Sequence, residues 1–222
     1  MEIELRIEGR SLVFAAKEKD QVISTLSLKQ DISDNGVAIF QICNAFTKGI
    51  YRRRGYMDAN LKEVFTTLQA EREPFVFLGT REPEIFENKY GFKHIIAPKD
   101  PFPDTLGRIV DVRSFISYFS NDKEFVLSLR VYDDMLIEND GIYFIHCSPD
   151  GGVLTPVKIA NPKMTNGEGE KIAAEAEVSV DDLIQFAFGL KTAKEAFKIV
   201  VPIKEAELCE NLDKLKFDIA MS

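Results

Sequence analysis

From Tyr56 onward the apolar residues change step. Met57, Leu61, Val64, Phe65 and Leu68 recur at three- and four-residue intervals. That is one stripe of an amphipathic helix, and Pro74 predicts its end near Glu71–Glu73. Ahead of it the pattern is that of strands. Ser11–Glu18 and Gln21–Gln30 flank Lys19–Asp20, a hairpin-like connection, and Val37–Thr47 is a long β-branched and aromatic run. Asp31–Gly36 is turn chemistry, with Asn35–Gly36 suited to positive φ. Past the helix, Phe75–Thr80 predicts a short, fully apolar strand. Pro83–Tyr90 predicts a short helix with proline in its first turn, stopped by Gly91, and Phe92–Ile96 a further strand.

Residues 98–107 hold three prolines and show no periodicity, which predicts a linker between a domain over 1–97 and a second over 108–222. In the second, Val110–Phe119 reads as a short helix and Glu124–Asp133 as a strand. Met135–Cys147 reads as a hairpin through Asn139–Asp140–Gly141, Ser148–Gly152 as a turn and Val153–Ala160 as a strand. Asn161–Lys171 is a polar loop, and Ala173–Ser179 is a strand. Ser179 and Asp182 have the spacing of a capping box for a helix over Val180–Phe188, which stops at Gly189. Thr192–Val200 reads as a last helical stretch. The predicted fold class is mixed α/β (α+β).

Composition narrows the function. Of 222 residues, 45% are hydrophobic and 29% charged, the balance of a folded domain with an ordinary core. No apolar run is long enough to span a membrane, and the N-terminus lacks the basic start and apolar block of a signal peptide. Cys43, Cys147 and Cys209 are scattered, without a C-x-x-C pair, which argues against a disulfide framework or zinc site and for a reducing cytoplasm. The two histidines, His94 and His146, are far apart, so no metal is expected. His146 shares a strand face with Ile142 and Phe144 and reads as a core or edge residue. A net charge of −8 argues against nucleic-acid binding.

Against that charge, Arg52, Arg53 and Arg54 stand together before Gly55. A solvated surface run is one reading. Their placement favours another: a buried strand, a short loop, Arg-Arg-Arg-Gly, then the start of a helix. The first N–H groups of a helix lack intrahelical partners and carry partial positive charge. Glycine allows a bulky phosphate to approach, and guanidinium groups add charge-assisted bonds.

The segment Thr47–Phe65 resembles the coenzyme A-binding segment of the GNAT N-acetyltransferases, Arg/Gln-x-x-Gly-x-Gly/Ala, with Met57 in place of the final small residue. Its "YRRRG" is similar to the Eis (enhanced intracellular survival) branch. So is Pro74–Phe92, with its Tyr-Gly-Phe ending, and parts of residues 108–189 resemble the sterol carrier protein-like domain of that branch. The resemblance implies transfer of an acetyl group from acetyl-CoA to a primary amine on a small molecule or lysine: an aminoglycoside, a polyamine or a protein side chain. It places the pantetheine arm along Ala45, Phe46 and Thr47 and the pyrophosphate on Arg52, Arg53, Arg54, Gly55, Tyr56 and Met57. In the branch a tyrosine four residues before the second glycine is the acid, and the C-terminal carboxylate is the base. Here that position is Glu87, Tyr90 lies nearby, and the terminal residue is Ser222. The strand and two helices expected ahead of the first hairpin are reduced to about ten residues, so a neighbouring subunit completing the pocket is also expected. Two further readings stay open: a non-catalytic coenzyme A- or ligand-binding protein, and a lipid carrier with an open apolar tunnel in the second domain.

Overall fold

The computed structural model describes residues 1–33, 36–96, 103–148, 152–159, 173–201 and 205–219. A seven-stranded sheet is built from β1 (Glu2–Glu8), β2 (Ser11–Glu18), β3 (Gln21–Ile32), β4 (Ala38–Thr47), β5 (Phe75–Thr80), β6 (Lys93–His94) and β7 (Asp104–Ile109). Its order is β1-β2-β3-β4-β5-β7-β6, antiparallel except for the β4–β5 pair. Helix α1 (Tyr56–Ala70) makes the crossover between β4 and β5, and α2 (Pro83–Tyr90) follows β5. The stripe that predicts α1 is the stripe it buries: Leu61, Val64, Phe65 and Leu68 pack on Phe14, Leu26, Ile42 and Leu78 of the sheet. Gly91 ends α2 in the left-handed region at φ 64°, where an added Cβ would sit 2.9 Å from Met135 Sδ.

The second half repeats the sheet-plus-helix scheme with different parts. After α3 (Val112–Ile116) and β8 (Phe119–Ser120) come β9 (Phe125–Tyr132), β10 (Gly141–Ser148), β11 (Gly152–Ile159) and β12 (Ala176–Ser179). Helices α4 (Val180–Ala187) and α5 (Ala193–Ala196), β13 (Lys198–Ile199), α6 (Glu205–Asp213) and β14 (Lys216–Phe217) complete it. The five-stranded sheet runs β11-β10-β9-β12-β13, and β14 pairs with β8. Ser179 caps α4 by accepting from Asp182 N–H at 3.0 Å, as its spacing predicts.

The two sheets share one core. Ile39, Phe75, Phe77 and Ile109 of the first pack in the same cluster as Leu127, Leu129 and Val131 of the second, with Ile184 of α4. Arg108 on β7 is 2% exposed and forms a salt bridge with the wholly buried Asp133 after β9. Asp133 also accepts from Met135 N–H and Leu136 N–H at 3.0 Å and from Asn139 Nδ2 at 2.9 Å, so one carboxylate organises that loop.

Several expectations are corrected. Residues 104–107, read as the end of a linker, are strand, because β7 fills the gap between β5 and β6; residues 98–102 lie outside the described residues. The hairpin expected over Met135–Cys147 is instead β9–β10, since Asp133 winds Ile137–Asn139 into a 3-10 turn. The short helix read over Val110–Phe119 and the helical stretch over Thr192–Val200 contract to about one turn each and give way to β8 and β13. Strand β1 was not read from the sequence. The tight turn at Ser148–Gly152 and the loop Asn161–Lys171 fall wholly or mainly outside the described residues. Among the described residues no helix is long and apolar enough to cross a membrane.

Replacing Arg108 by Met leaves Asp133 charged and buried without its partner. The expected loss is about 3–5 kcal/mol of unfolding free energy, measured by urea denaturation.

Candidate functional site

The site begins where a ladder stops. β4 and β5 pair only through Phe40–Val76, Gln41–Phe77 and Ile42–Leu78. Beyond Ile42 the β4 backbone has no ladder partner on its β5 side among the described residues, and Asn44, Ala45 and Phe46 are exposed. A bulge drives the strands apart. Thr25 pairs with Phe46 but Ser27 with Cys43, so Asn44 and Ala45 oppose Leu26 alone, and Asn44 takes φ 52°. The open end is still held firmly. Ser24 and Asn60 are both fully buried: Ser24 Oγ donates to Phe46 O at 3.0 Å, lies 2.8 Å from Thr47 Oγ1, and accepts from Asn60 Nδ2 of α1 at 3.2 Å. Asn60 Oδ1 is buried without a partner among the described residues.

The chain then turns through Gly49–Tyr51 into the arginines. Arg52, Arg53 and Arg54 are exposed. Arg53 (φ 61°) and Gly55 (φ 81°) are both left-handed, a strained choice for arginine and a free one for glycine. An added Cβ at Gly55 would meet only Asp58 Oδ2, at 3.8 Å, so the space in front of the helix is open. Ala59 N–H reaches Gly55 O at 3.0 Å, while Tyr56, Met57 and Asp58 N–H have no partner among the described residues. Arg52 Nε donates to Thr47 O at 3.4 Å, and the Arg54 guanidinium lies 5.5 Å over the Tyr51 ring. Tyr56 is buried and donates to Glu18 Oε2 at 3.1 Å, while Met57 packs against the α1 core; both anchor the helix start.

The residues expected to move protons divide into two groups. Tyr90 is 8% exposed, and its hydroxyl donates to Asp58, whose carboxylate also meets Lys89 Nζ at 2.6 Å. Burial, with that hydrogen bond to a carboxylate, pushes the phenol well above its ordinary range. Burial works to raise Asp58, but the bonds from Lys89 and Tyr90 outweigh it and hold the carboxyl below 3.8. Tyr90 thus clamps the end of α2 to the start of α1. Among the described residues no hydrogen bond joins it to Glu87, which instead faces His94: Oε1 lies 3.7 Å from Nε2. On the other side Asp104 Oδ1 lies 3.9 Å from His94 Nδ1, which is buried with no hydrogen bond among the described residues. His94 is the residue that sequence reasoning missed. It sits in the row Ile42–Leu78–Leu106–His94, the last row before the ladder opens. No spacing in the sequence joins Glu87, His94 and Asp104; sheet order does. Ser222 lies outside the described residues. Among the described residues no three His, Cys, Asp or Glu side chains are grouped to hold a metal.

The fold, a seven-stranded sheet that opens beside a helix start, has counterparts among solved structures. This fold is shared with a GCN5-related N-acetyltransferase from Kribbella flavida at TM-score 0.65 and 10% identity, over 94% of this chain and 86% of that one. It is shared with a conserved protein of unknown function from Enterococcus faecalis V583, described as a probable N-acyltransferase, at TM-score 0.70 and 12% identity over 96% and 87%. More particularly, Eis1 from Mycobacterium abscessus superimposes at TM-score 0.63 and 10% identity, over 91% and 87%. No protein-family model and no curated protein sequence matches the chain.

Tyr90→Phe should lower stability at neutral pH by about 1 kcal/mol. A carboxyl held low in the fold stabilises above its ordinary 3.8 and loses that effect as pH falls through its folded value. The gap between wild type and variant should therefore close in acid, as thermal unfolding across pH would show.

Proposed function

We propose that the protein transfers an acetyl group from acetyl-CoA to a primary amine. The observation that carries this reading is the β4–β5 ladder opening beside a helix start whose first N–H groups have no partner among the described residues and whose approach is lined by three arginines. Beyond its pairing with β3, the β5-facing side of Ala45, Phe46 and Thr47 would hold the amide-bearing arm, as an added strand does. The N–H groups of Tyr56 and Met57, with Arg52, Arg53, Arg54 and Gly55, would take the pyrophosphate. The amine nitrogen attacks the thioester carbonyl, the C–S bond breaks, and the thiolate takes a proton.

Glu87 occupies the position of the resemblance's acid, and we assign the ammonium proton to the Glu87–His94 pair. The pair lies beyond β7, roughly 10 Å from β5 at ordinary strand spacing, so that proton would travel through water. Glu87 and Asp104 around His94 suit a cationic acceptor. Tyr90 we assign to positioning. Lipid carriage finds little support, because the apolar cavity among Phe119, Leu127, Ile145 and Leu183 measures about 20 Å³, room for about one water.

A second reading, coenzyme A binding without turnover, is favoured by one fact: a glutamate stands where the resemblance expects tyrosine. Calorimetric titration with acetyl-CoA separates the readings from failure of both. Arg54→Ala should weaken binding by about 1.5–3 kcal/mol, roughly ten- to a hundredfold. With a diamine acceptor and a thiol-release assay, His94→Gln should lower kcat about a hundredfold while acetyl-CoA binding holds. Binding without thiol release for any amine would leave the second reading; no binding would end both.

A further inference from the structure

A second group of positive charges stands at the far end of α1, about 20 Å along the helix from the arginines at its start. There a cavity of about 290 Å³ opens against the second half of the chain. Arg72 lines it from beyond α1, Arg113 from α3 and Lys158 from β11, together with Asp111 and Glu138. In so small a space opposite charges normally close on one another, and here they do not. Neither the Arg72 nor the Arg113 guanidinium makes a hydrogen bond or ion pair among the described residues, and nor does the Glu138 carboxylate. Lys158 Nζ donates to the Glu138 carbonyl and not to its carboxylate. Asp111 accepts from Ser114 N–H at 2.7 Å and so caps α3. Burial lowers the Lys158 ammonium from its ordinary range, and the charge of Arg113 pushes the same way. Arg72 takes φ 58°, at a helix end where glycine is the usual residue. Like charges held together and a strained backbone both destabilise the fold, and the open centre of the cavity is where an offsetting charge fits.

We propose that this cavity binds a small phosphorylated sugar or polyol. Three cations against two carboxylates leave it net positive in a chain of net charge −8, so its complement is an anion. Guanidinium and ammonium groups make charge-assisted bonds to phosphate oxygens. The carboxylates then select among anions. Asp111 and Glu138 repel a bare phosphate and keep lone pairs that only a donor fills. Hydroxyl groups on the same molecule are such donors, and a simple carboxylate has none. An amino-acid zwitterion brings donors but no net charge. Gln69 adds an acceptor: its Nε2 donates to Val110 O at 3.3 Å, which leaves Oε1 for the ligand. The volume sets the size, at the small end of the usual range of about 300–1,000 Å³ for ligand pockets. Binding here does not depend on acetyl transfer, so either can fail without the other.

Calorimetric titration of the full chain with glucose-6-phosphate and with glycerol phosphate tests this. At least one of them should bind saturably and more tightly than inorganic phosphate, while glucose and glycerol alone should not bind. Arg113→Gln keeps the side-chain stem and breaks no side-chain bond among the described residues, so it stays folded by circular dichroism. It should weaken sugar phosphate binding about tenfold or more. Arg54→Ala, at the other end of α1, should leave that binding unchanged. Glu138→Ala removes an acceptor and a like charge together, so it should weaken the sugar phosphate and tighten inorganic phosphate. No saturable binding of either compound at millimolar concentration would overturn the proposal. So would binding that survives Arg113→Gln but is lost in Arg54→Ala. Inorganic phosphate bound as tightly as the sugar phosphates would also overturn it, and leave an adventitious ion only.

Discussion

Three residue pairs hold β4 to β5, and the molecule is arranged around the place where they stop. Had the ladder continued, the backbone of Asn44 to Thr47 would be spent on β5, as buried backbone groups in sheets normally are. The bulge at Asn44–Ala45 turns the strand away instead, and the buried Ser24–Asn60 contact fixes the turned end to α1. The strand end and the helix start are therefore one rigid body. An extended ligand lying on the first meets the positive end of the second without any rearrangement of the chain.

The parts of this design governed by local chemistry were legible in the sequence. The period of Met57, Leu61, Val64, Phe65 and Leu68 marks α1 and the face it buries, and Pro83 with Gly91 brackets α2. The arginines were legible as a cluster between a strand and a helix start, because sequence order alone sets that placement. What could not be read depends on which strands lie side by side. His94 meets Asp104 because β6 pairs with β7, although three prolines interrupt the sequence between them. β7 was hidden by that same segment, where proline chemistry masked a six-residue strand. β1 had the alternation of a strand in Ile3, Leu5 and Ile7, but its charged residues drew the eye to a terminus rather than an element.

Tyr90 shows how position and role can separate. It stands three residues from Glu87 on the same short helix, yet its hydroxyl is turned to Asp58 and its ring is buried. One helical step thus decides whether a side chain braces the two helices or faces His94. Replacing a tyrosine by glutamate at that step exchanges a neutral donor for an acceptor, and the acceptor finds an imidazole 3.7 Å away. The electrostatics of the cleft are accordingly acidic on the α2 side and basic at the start of α1.

Arg108 and Asp133 are separated by 25 positions in the chain. During synthesis the guanidinium leaves the ribosome first, on a strand whose native place is dry. Until Asp133 follows, it has no counter-charge to enter with, and Asp181 on α4, 3.7 Å away in the fold, arrives later still. A nascent chain ending before residue 133 therefore holds β7 at the threshold of its sheet. The first sheet cannot mature on its own and wait; vectorial folding is deferred until the second half has begun to emerge.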